Sequence, residues 1–327
     1  MAMRQLSDNP SWKDGFKALK MQNGVLTVRV VDTTFSGQTV KKVESFGYTN
    51  YGQKDQILYS SIVYLKSSNT VNTAVKAAIT ANNNVGTLGN LEVDGRDWNM
   101  AGTALSGGEG TFGIWTTGTF SQGGASKVGG SNSGVNYLPT RPANSNTIAT
   151  KQKYDGGYPT SPDSILGGPD GGLEEGTLKK YAQSGENGSQ YVTDPSKLKA
   201  PLSGVTYVEL PNGDDWNVGG GFDLTGTGIL IVHNKWNNAE IKNLNKGTFK
   251  GILIADDITR IHNDIVGAVI TLSPNPPSGN TIGNGNGSIK YSSEAIDFAL
   301  KPFGGSSISG ASSGAISSKN SVLWWAE

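Results

Sequence analysis

A short apolar phrase recurs three times in this chain, as Gly228-Ile-Leu-Ile-Val, Gly251-Ile-Leu-Ile-Ala and Gly267-Ala-Val-Ile-Thr. The starts lie 23 and 16 residues apart, and each gap holds a weaker β-like segment, Ala239-Glu-Ile-Lys-Asn-Leu and Asp257-Ile-Thr-Arg-Ile-His. Self-similarity at about 20 residues implies stacked units, each of which can bury its apolar side only against its neighbours. Ile229, Leu230, Ile231, Ile252, Leu253 and Ile254 are therefore expected in inward or ladder positions. Asn234, Asn245 and Asn263 would sit at corners, where left-handed backbone or side-chain hydrogen bonds suit them.

Composition agrees with a β architecture. Glycine supplies 46 of 327 residues, and charged residues only 17%. Glycine and asparagine weaken helices and favour turns. Basic and acidic residues balance at 27 each, so no positive field is available to release counterions from nucleic acid or to hold an anionic membrane. Cysteine is absent, which excludes a disulfide framework and a thiolate metal site. The longest clean apolar runs are about five residues, against the roughly 18 needed to span a bilayer. Met1-Ala2-Met3 reads as an introduced start, so an upstream targeting or anchoring segment is expected to be missing.

Three regions follow. In residues 1–70, Trp12, Phe16 and Leu19 have helical spacing, and the runs from Val25, Val40 and Gln56 read as antiparallel strands. Residues 71–303 carry the repeats. Within them Ala74-Val-Lys-Ala-Ala-Ile-Thr-Ala has helical propensity, 129–172 reads as an irregular excursion, and 173–183 as a short helix with acid first and lysine last. Ser292 reads as the cap of another short helix that Pro302 stops. Residues 304–327 read as a Gly/Ser linker and a strand, Val322-Leu-Trp-Trp, returning to the first sheet.

Motifs for chemistry are weak. Gly108-Glu-Gly-Thr-Phe-Gly113 runs into a strand, whereas a dinucleotide fingerprint must open a helix. Gly310-Ala-Ser312-Ser-Gly314 lies in a linker, and both histidines, His233 and His262, precede it, contrary to hydrolase order. Two histidines without a third ligand make a poor zinc site. Asp94, Asp97, Asp214, Asp215, Asp256 and Asp257 fall at strand ends, where a β-helix enzyme holds calcium or catalytic carboxylates. Calcium asks for about six to eight oxygens, so Asp94 and Asp97 are candidate ligands only if neighbouring strands complete the shell. Trp98, Trp115, Trp216 and Trp236 lie beside loops and are the candidate ligand-binding residues, since a row of them could stack on sugar rings. No other cofactor is implied.

Several phrases together resemble the PilX-like type IV minor pilins. Asn9-Pro-Ser-Trp-Lys-Asp-Gly15-Phe is similar to the segment after the pilin helix, and Leu91-Glu-Val-Asp-Gly-Arg-Asp97-Trp-Asn to a glycine-bounded repeat of the family. Gly228-Ile-Leu-Ile-Val-His, Gly247-Thr-Phe-Lys-Gly-Ile-Leu-Ile-Ala, Gly285-Asn-Gly-Ser-Ile-Lys-Tyr-Ser-Ser-Glu-Ala-Ile and Val322-Leu-Trp-Trp-Ala-Glu327 resemble its C-terminal half. The resemblance covers nearly the whole chain. It implies a mainly β protein, a right-handed parallel β-helix inserted in a small pilin-like frame of helix and antiparallel sheet. It also implies display on a bacterial pilus or pseudopilus, at the cell surface or pilus tip, for assembly, adhesion or DNA uptake. The implied partners are other pilin subunits, a host surface, polysaccharide or DNA, with membrane contact only through the missing N-terminal helix. The family supplies no catalytic residues, so a non-enzyme is expected. The alternatives are a carbohydrate-active β-helix enzyme of the polysaccharide lyase or hydrolase type, which requires Asp94, Asp97, Asp214 and Asp257 to converge, and a cytoskeletal solenoid that polymerises end to end.

Overall fold

The computed structural model describes residues 13–21, 24–35, 38–51, 54, 56–68, 75–154, 156–168, 173–279, 282, 284–303 and 319–326. The protein is mainly β, with several sheets. Its first strands are β1 (Phe16–Met21), β2 (Gly24–Phe35), β3 (Gln38–Thr49) and β4 (Ile57–Ser68). Next come β5 (Ala77–Ala81), β6 (Val85–Gly89), β7 (Glu92–Asp94), β8 (Phe112–Thr116), β9 (Phe120–Gln122), β10 (Lys127–Asn132), β11 (Val135–Thr140) and β12 (Ile148–Ala149). Helices α1 (Pro162–Ile165) and α2 (Thr177–Ser184) precede β13 (Gln190–Val192), β14 (Val205–Glu209), β15 (Asp215–Asn217) and β16 (Gly226–His233). Then follow β17 (Glu240–Leu244), β18 (Thr248–Ala255), β19 (Asp257–Ile261), β20 (Asp264–Thr271), β21 (Asn284–Gly285), β22 (Ser288–Tyr291), α3 (Ser293–Leu300) and β23 (Lys319–Ala326). Among the described residues no helix is long and apolar enough to cross a membrane.

The chain divides into two units, Met1–Thr70 with Ala315–Glu327, and Val71–Gly314. In the first, five antiparallel strands run in the order β1-β2-β3-β4-β23. Among its described side chains Val28, Val30 and Val43 form a buried cluster, with Phe16, Leu26 and Val63 packed against them. Residues 16–21 are strand rather than the amphipathic helix that the spacing suggests. Pairing of Leu19 with Leu26 and Met21 with Gly24 satisfies their backbone and overrides a weak local pattern. Residues 4–12 of that expected helix lie outside the described residues, as does the Gly/Ser linker at 304–318.

The second unit is built on parallel pairing. The recurring phrase is in register with itself, since Gly228 pairs with Gly251 and Gly251 with Gly267. At these glycines φ is +114°, +136° and +140°. A Cβ at Gly251 would strike the carbonyl oxygen of Gly228, and one at Gly267 that of Gly251. The glycines form a corner where successive backbones approach too closely for any side chain. Beyond the corner the apolar residues stack in columns. One column passes from Leu230 to Leu253, Val269, Ile79 and Ile114, every member without solvent contact. Each such side chain contributes about 1.5–3 kcal/mol of burial.

That column also shows how early and late strands of the unit pair. The first half of β20 pairs with β22, Asp264 opposite Ser288, and its second half with β5, Val269 opposite Ile79. Then β22 pairs with β7, and β5 with β8. The first and last strands of the unit therefore lie side by side in the middle of the stack. Its outer members are β12 and β11 on one side and β13 on the other. Two three-stranded sheets, β15-β17-β19 and β21-β6-β9, carry the intervening segments. Helix α3, capped by Ser292 Oγ accepting from the Ala295 amide at 3.2 Å, packs on β16, β18 and β20, and α2 packs on β13 and β14.

Three expectations are corrected here. Residues 77–81 are strand, because β20 and β8 bond them from both sides. The 129–172 excursion contains order: β10 and β11 form a hairpin whose two turn residues, Ser133 and Gly134, both have positive φ, and Ser161 boxes the start of α1. Helix α2 begins at Thr177 rather than 173, where the buried Asp163 carboxylate accepts from the Gly176 and Leu178 amides at 3.1 and 2.9 Å. At the corners, Asn234 acts through its side chain, accepting from the Trp236 and Asn238 amides. Left-handed backbone falls instead to Asn237 and Asn243.

Candidate functional site

Asp94 ends β7 and is fully buried. Its Oδ2 accepts from Arg96 Nη2 at 2.6 Å and from Trp98 Nε1 at 3.0 Å, and Oδ1 from the Arg96 amide at 3.0 Å. Asp97 Oδ2 accepts from Ser106 Oγ at 2.6 Å and Ser293 Oγ at 2.8 Å, while Oδ1 takes the Ser293 amide at 2.8 Å. These carboxylates brace a loop and the start of α3, and protein donors fill their oxygens. Among the described residues no three His, Asp or Glu side chains gather as a metal would require.

The four acids of the enzyme alternative share no hydrogen bond with one another, and Asp257 and Asp214 have partners distinct from those of Asp94 and Asp97. Asp257 opens β19 in a different sheet and accepts from the Ser278 amide at 2.9 Å and the Ile258 amide at 2.8 Å. Burial pushes its carboxyl above the ordinary value against these bonds. Asp214 is exposed and accepts from its neighbour's amide. The histidines are also separate in their bonding, His262 Nδ1 lying 2.6 Å from Asn286 Oδ1 and His233 Nδ1 2.6 Å from Asp256 Oδ1.

Nor do the four tryptophans make a row. Trp115 is 7% exposed under Tyr154 and Tyr158, and Trp216 is 5% exposed against Phe222. Trp98 is half-buried, with Lys290 Nζ 4.4 Å and Arg96 Cζ 5.6 Å from its ring centroid. Only Trp236, at 50%, offers a broad surface, with Lys235 Nζ 4.5 Å from the ring centroid.

Beside Trp236 lies a groove of about 360 Å³ lined by Thr193, Glu209, Leu210, Pro211, Asn234 and Lys235. The parallel register explains its polar wall. Glu209 pairs with His233, and one step along the next two ladders Thr193 falls opposite Glu209 and Asp256 opposite His233. Residues in register on parallel strands share a face, so these four form one column at the strand ends. Asp256 is buried, and Oδ2 accepts from the Asn234 and Ala239 amides at 3.1 and 3.0 Å, which fixes the loop carrying Trp236. Burial alone would raise Glu209, but hydrogen bonds from Lys179 Nζ at 2.6 Å and from the Tyr191 hydroxyl outweigh it and hold the carboxyl below its ordinary value. Both donors reach Oε2, which leaves Oε1 as an acceptor on the groove wall.

No known family, curated protein or solved structure matches this chain. The site must therefore be read from its own geometry. Sequence reasoning found Trp236 and His233 but missed Thr193, Glu209 and the bracing role of Asp256. A signal was present: Gly188-Ser-Gln-Tyr-Val-Thr193 and Gly204-Val-Thr-Tyr-Val-Glu209 are two further copies of the phrase, with the apolar run diluted by polar residues. Aligned on glycine, the copies set Thr193, Glu209, His233 and Asp256 at one position.

Proposed function

We propose that the chain is a non-catalytic, surface-displayed component of a type IV pilus-like filament, a minor-pilin-like ectodomain. Residues 71–303 form, in this reading, a right-handed parallel β-helix inserted in sequence between β4 and β23 of the other unit. One observation supports it: the inserted unit begins and ends on strands that lie side by side, β5 and β7 against β20 and β22, while the host sheet is interrupted in sequence. Such an insert leaves the strand pairing of the sheet that bears it undisturbed. The strand at 16–21 removes one element of the expected pilin frame, and the reading stands on the insertion rather than on a helix. The non-catalytic part is supported by Asp94, Asp97 and Asp257, whose oxygens are engaged by neighbouring donors.

The test is to tag the full-length gene product in its native cells, shear the filaments and probe both fractions. Tagged protein in the filament fraction is expected. Its retention in the cell body while filaments shear off intact would sink the proposal.

A further inference from the structure

We propose that the groove beside Trp236 binds an uncharged saccharide. The proposal follows from what each wall can and cannot accept. A phosphate or carboxylate ligand would meet the ionised Glu209, whose nearest cation, Lys179 Nζ, is already spent on Oε2, while the groove's other cation, Lys235 Nζ, lies over the Trp236 ring. A divalent cation would find one carboxylate there, itself paired with an ammonium. A wholly apolar ligand would leave Glu209 Oε1 and the Thr193 hydroxyl without partners, which is costly once water is displaced. A sugar ring satisfies both kinds of surface, because its C–H face can lie on the indole face opposite Lys235 Nζ while its hydroxyls donate to Oε1 and exchange a hydrogen bond with Thr193.

Preorganisation supports the same assignment. Trp236 stands on a loop held at both ends. Its own amide donates to Asn234 Oδ1 at 3.0 Å, Asn234 Nδ2 donates to Pro211 O at 3.0 Å, and buried Asp256 ties the Asn234 and Ala239 amides. A large aromatic surface held in water at 50% exposure, on a braced loop beside a free acceptor, is a binding platform rather than a core residue left outside. At about 360 Å³ the groove lies in the range of small-ligand sites, ~300–1,000 Å³. It would serve equally on a filament or on a free protein, so its test is separate from that of the filament.

The intact chain should be titrated by calorimetry with cello-, malto-, xylo- and mannotetraose. At least one is expected to bind, and Trp236→Ala should weaken it by about tenfold or more with an unchanged melting temperature. Glu209→Gln keeps the shape but makes Oε1 a poorer acceptor or replaces it by a donor, and should weaken the same probe by a smaller factor. It carries the test alone if the tryptophan variant does not fold. Absence of binding by all four probes in the millimolar range, or unchanged affinity in both variants, would overturn the proposal. Product analysis of the same mixtures separates this idea from the preceding one: cleaved probe leaves the groove in place and overturns the non-catalytic reading, whereas intact probe supports both.

Discussion

The two units solve the same problem, covering a β-sheet, with opposite kinds of information. In the antiparallel unit, β2 and β3 pair without a break from Gly24 opposite Thr49 to Phe35 opposite Gln38, and β3 and β4 continue the ladder. Neighbours in sequence are neighbours in space, so side chains can vary, and among the described side chains Val28, Val30 and Val43 are buried as a cluster. The parallel unit pairs segments about 20 residues apart and, where β20 meets β5, Val269 with Ile79. There the same kind of residue must recur at the same place on each strand, and glycine must recur at each corner. Local pairing tolerates composition; stacked pairing dictates it.

The sharpest way to break this contrast is at the glycine corner. Gly251→Val places a branched side chain at a φ of +136° and drives Cβ into the Gly228 carbonyl. The expected loss is about 4 kcal/mol or more, or failure of the parallel unit to fold, read by urea unfolding. An unchanged unfolding midpoint would mean that the corner is not what fixes the register. Leu253→Ala comes next. It empties part of a column without solvent contact and should cost about 3 kcal/mol, against about 2 kcal/mol for Val43→Ala in the thinner antiparallel core. Equal costs would erase the distinction between the two cores.

Much of this was legible because it is written in periodic residues. The three glycine phrases fall in the register their alignment gives, the strands from Val25, Val40 and Gln56 lie where alternation puts them, and Ser292 caps α3. The pairing of β5 with β20 was not legible. Val75-Lys-Ala-Ala-Ile-Thr-Ala81 is alanine-rich, with no preference strong enough to say strand, and its partner lies 190 residues further on. For β1 the apolar spacing pointed to a helix, and only pairing with β2 decides otherwise. The site hid for a related reason. Trp115 and Trp216 looked like loop-side platforms but are covered by Tyr154, Tyr158 and Phe222, contacts that no local pattern encodes. Glu209 and Thr193 escaped because their copies of the phrase carry too few apolar residues to be seen without the register.

A smaller effect tests the charge buried in the parallel unit. Burial lifts the Asp257 carboxyl above 3.8, so between 3.8 and its folded value the native state keeps a proton that the unfolded chain has released. Stability from this group is present below 3.8 and is lost as pH rises through the folded value. Asp257→Asn does not titrate, so it should gain on the wild type across that window. Unfolding free energies of both proteins measured from acid to neutral pH would show it, and a pH-independent gap between them would mean that the carboxyl titrates alike in both states.

The smallest effect is the mirror of the first. Gly47 lies inside β3, between Leu26 and Tyr59 on its neighbours, at a position where an added Cβ would meet nothing within 4 Å. Its backbone is ordinary strand, so a β-branched residue there loses no native contact and reduces the freedom of the unfolded chain. Gly47→Val should leave the antiparallel unit unchanged or stabilise it by up to about 1 kcal/mol, read as a rise in melting temperature. The same substitution, glycine to valine in the middle of a strand, is thus expected to be ruinous at position 251 and harmless at position 47. A marked loss at Gly47 would show that the antiparallel sheet also depends on close backbone approach, and the two units would then differ in topology but not in what they ask of their residues.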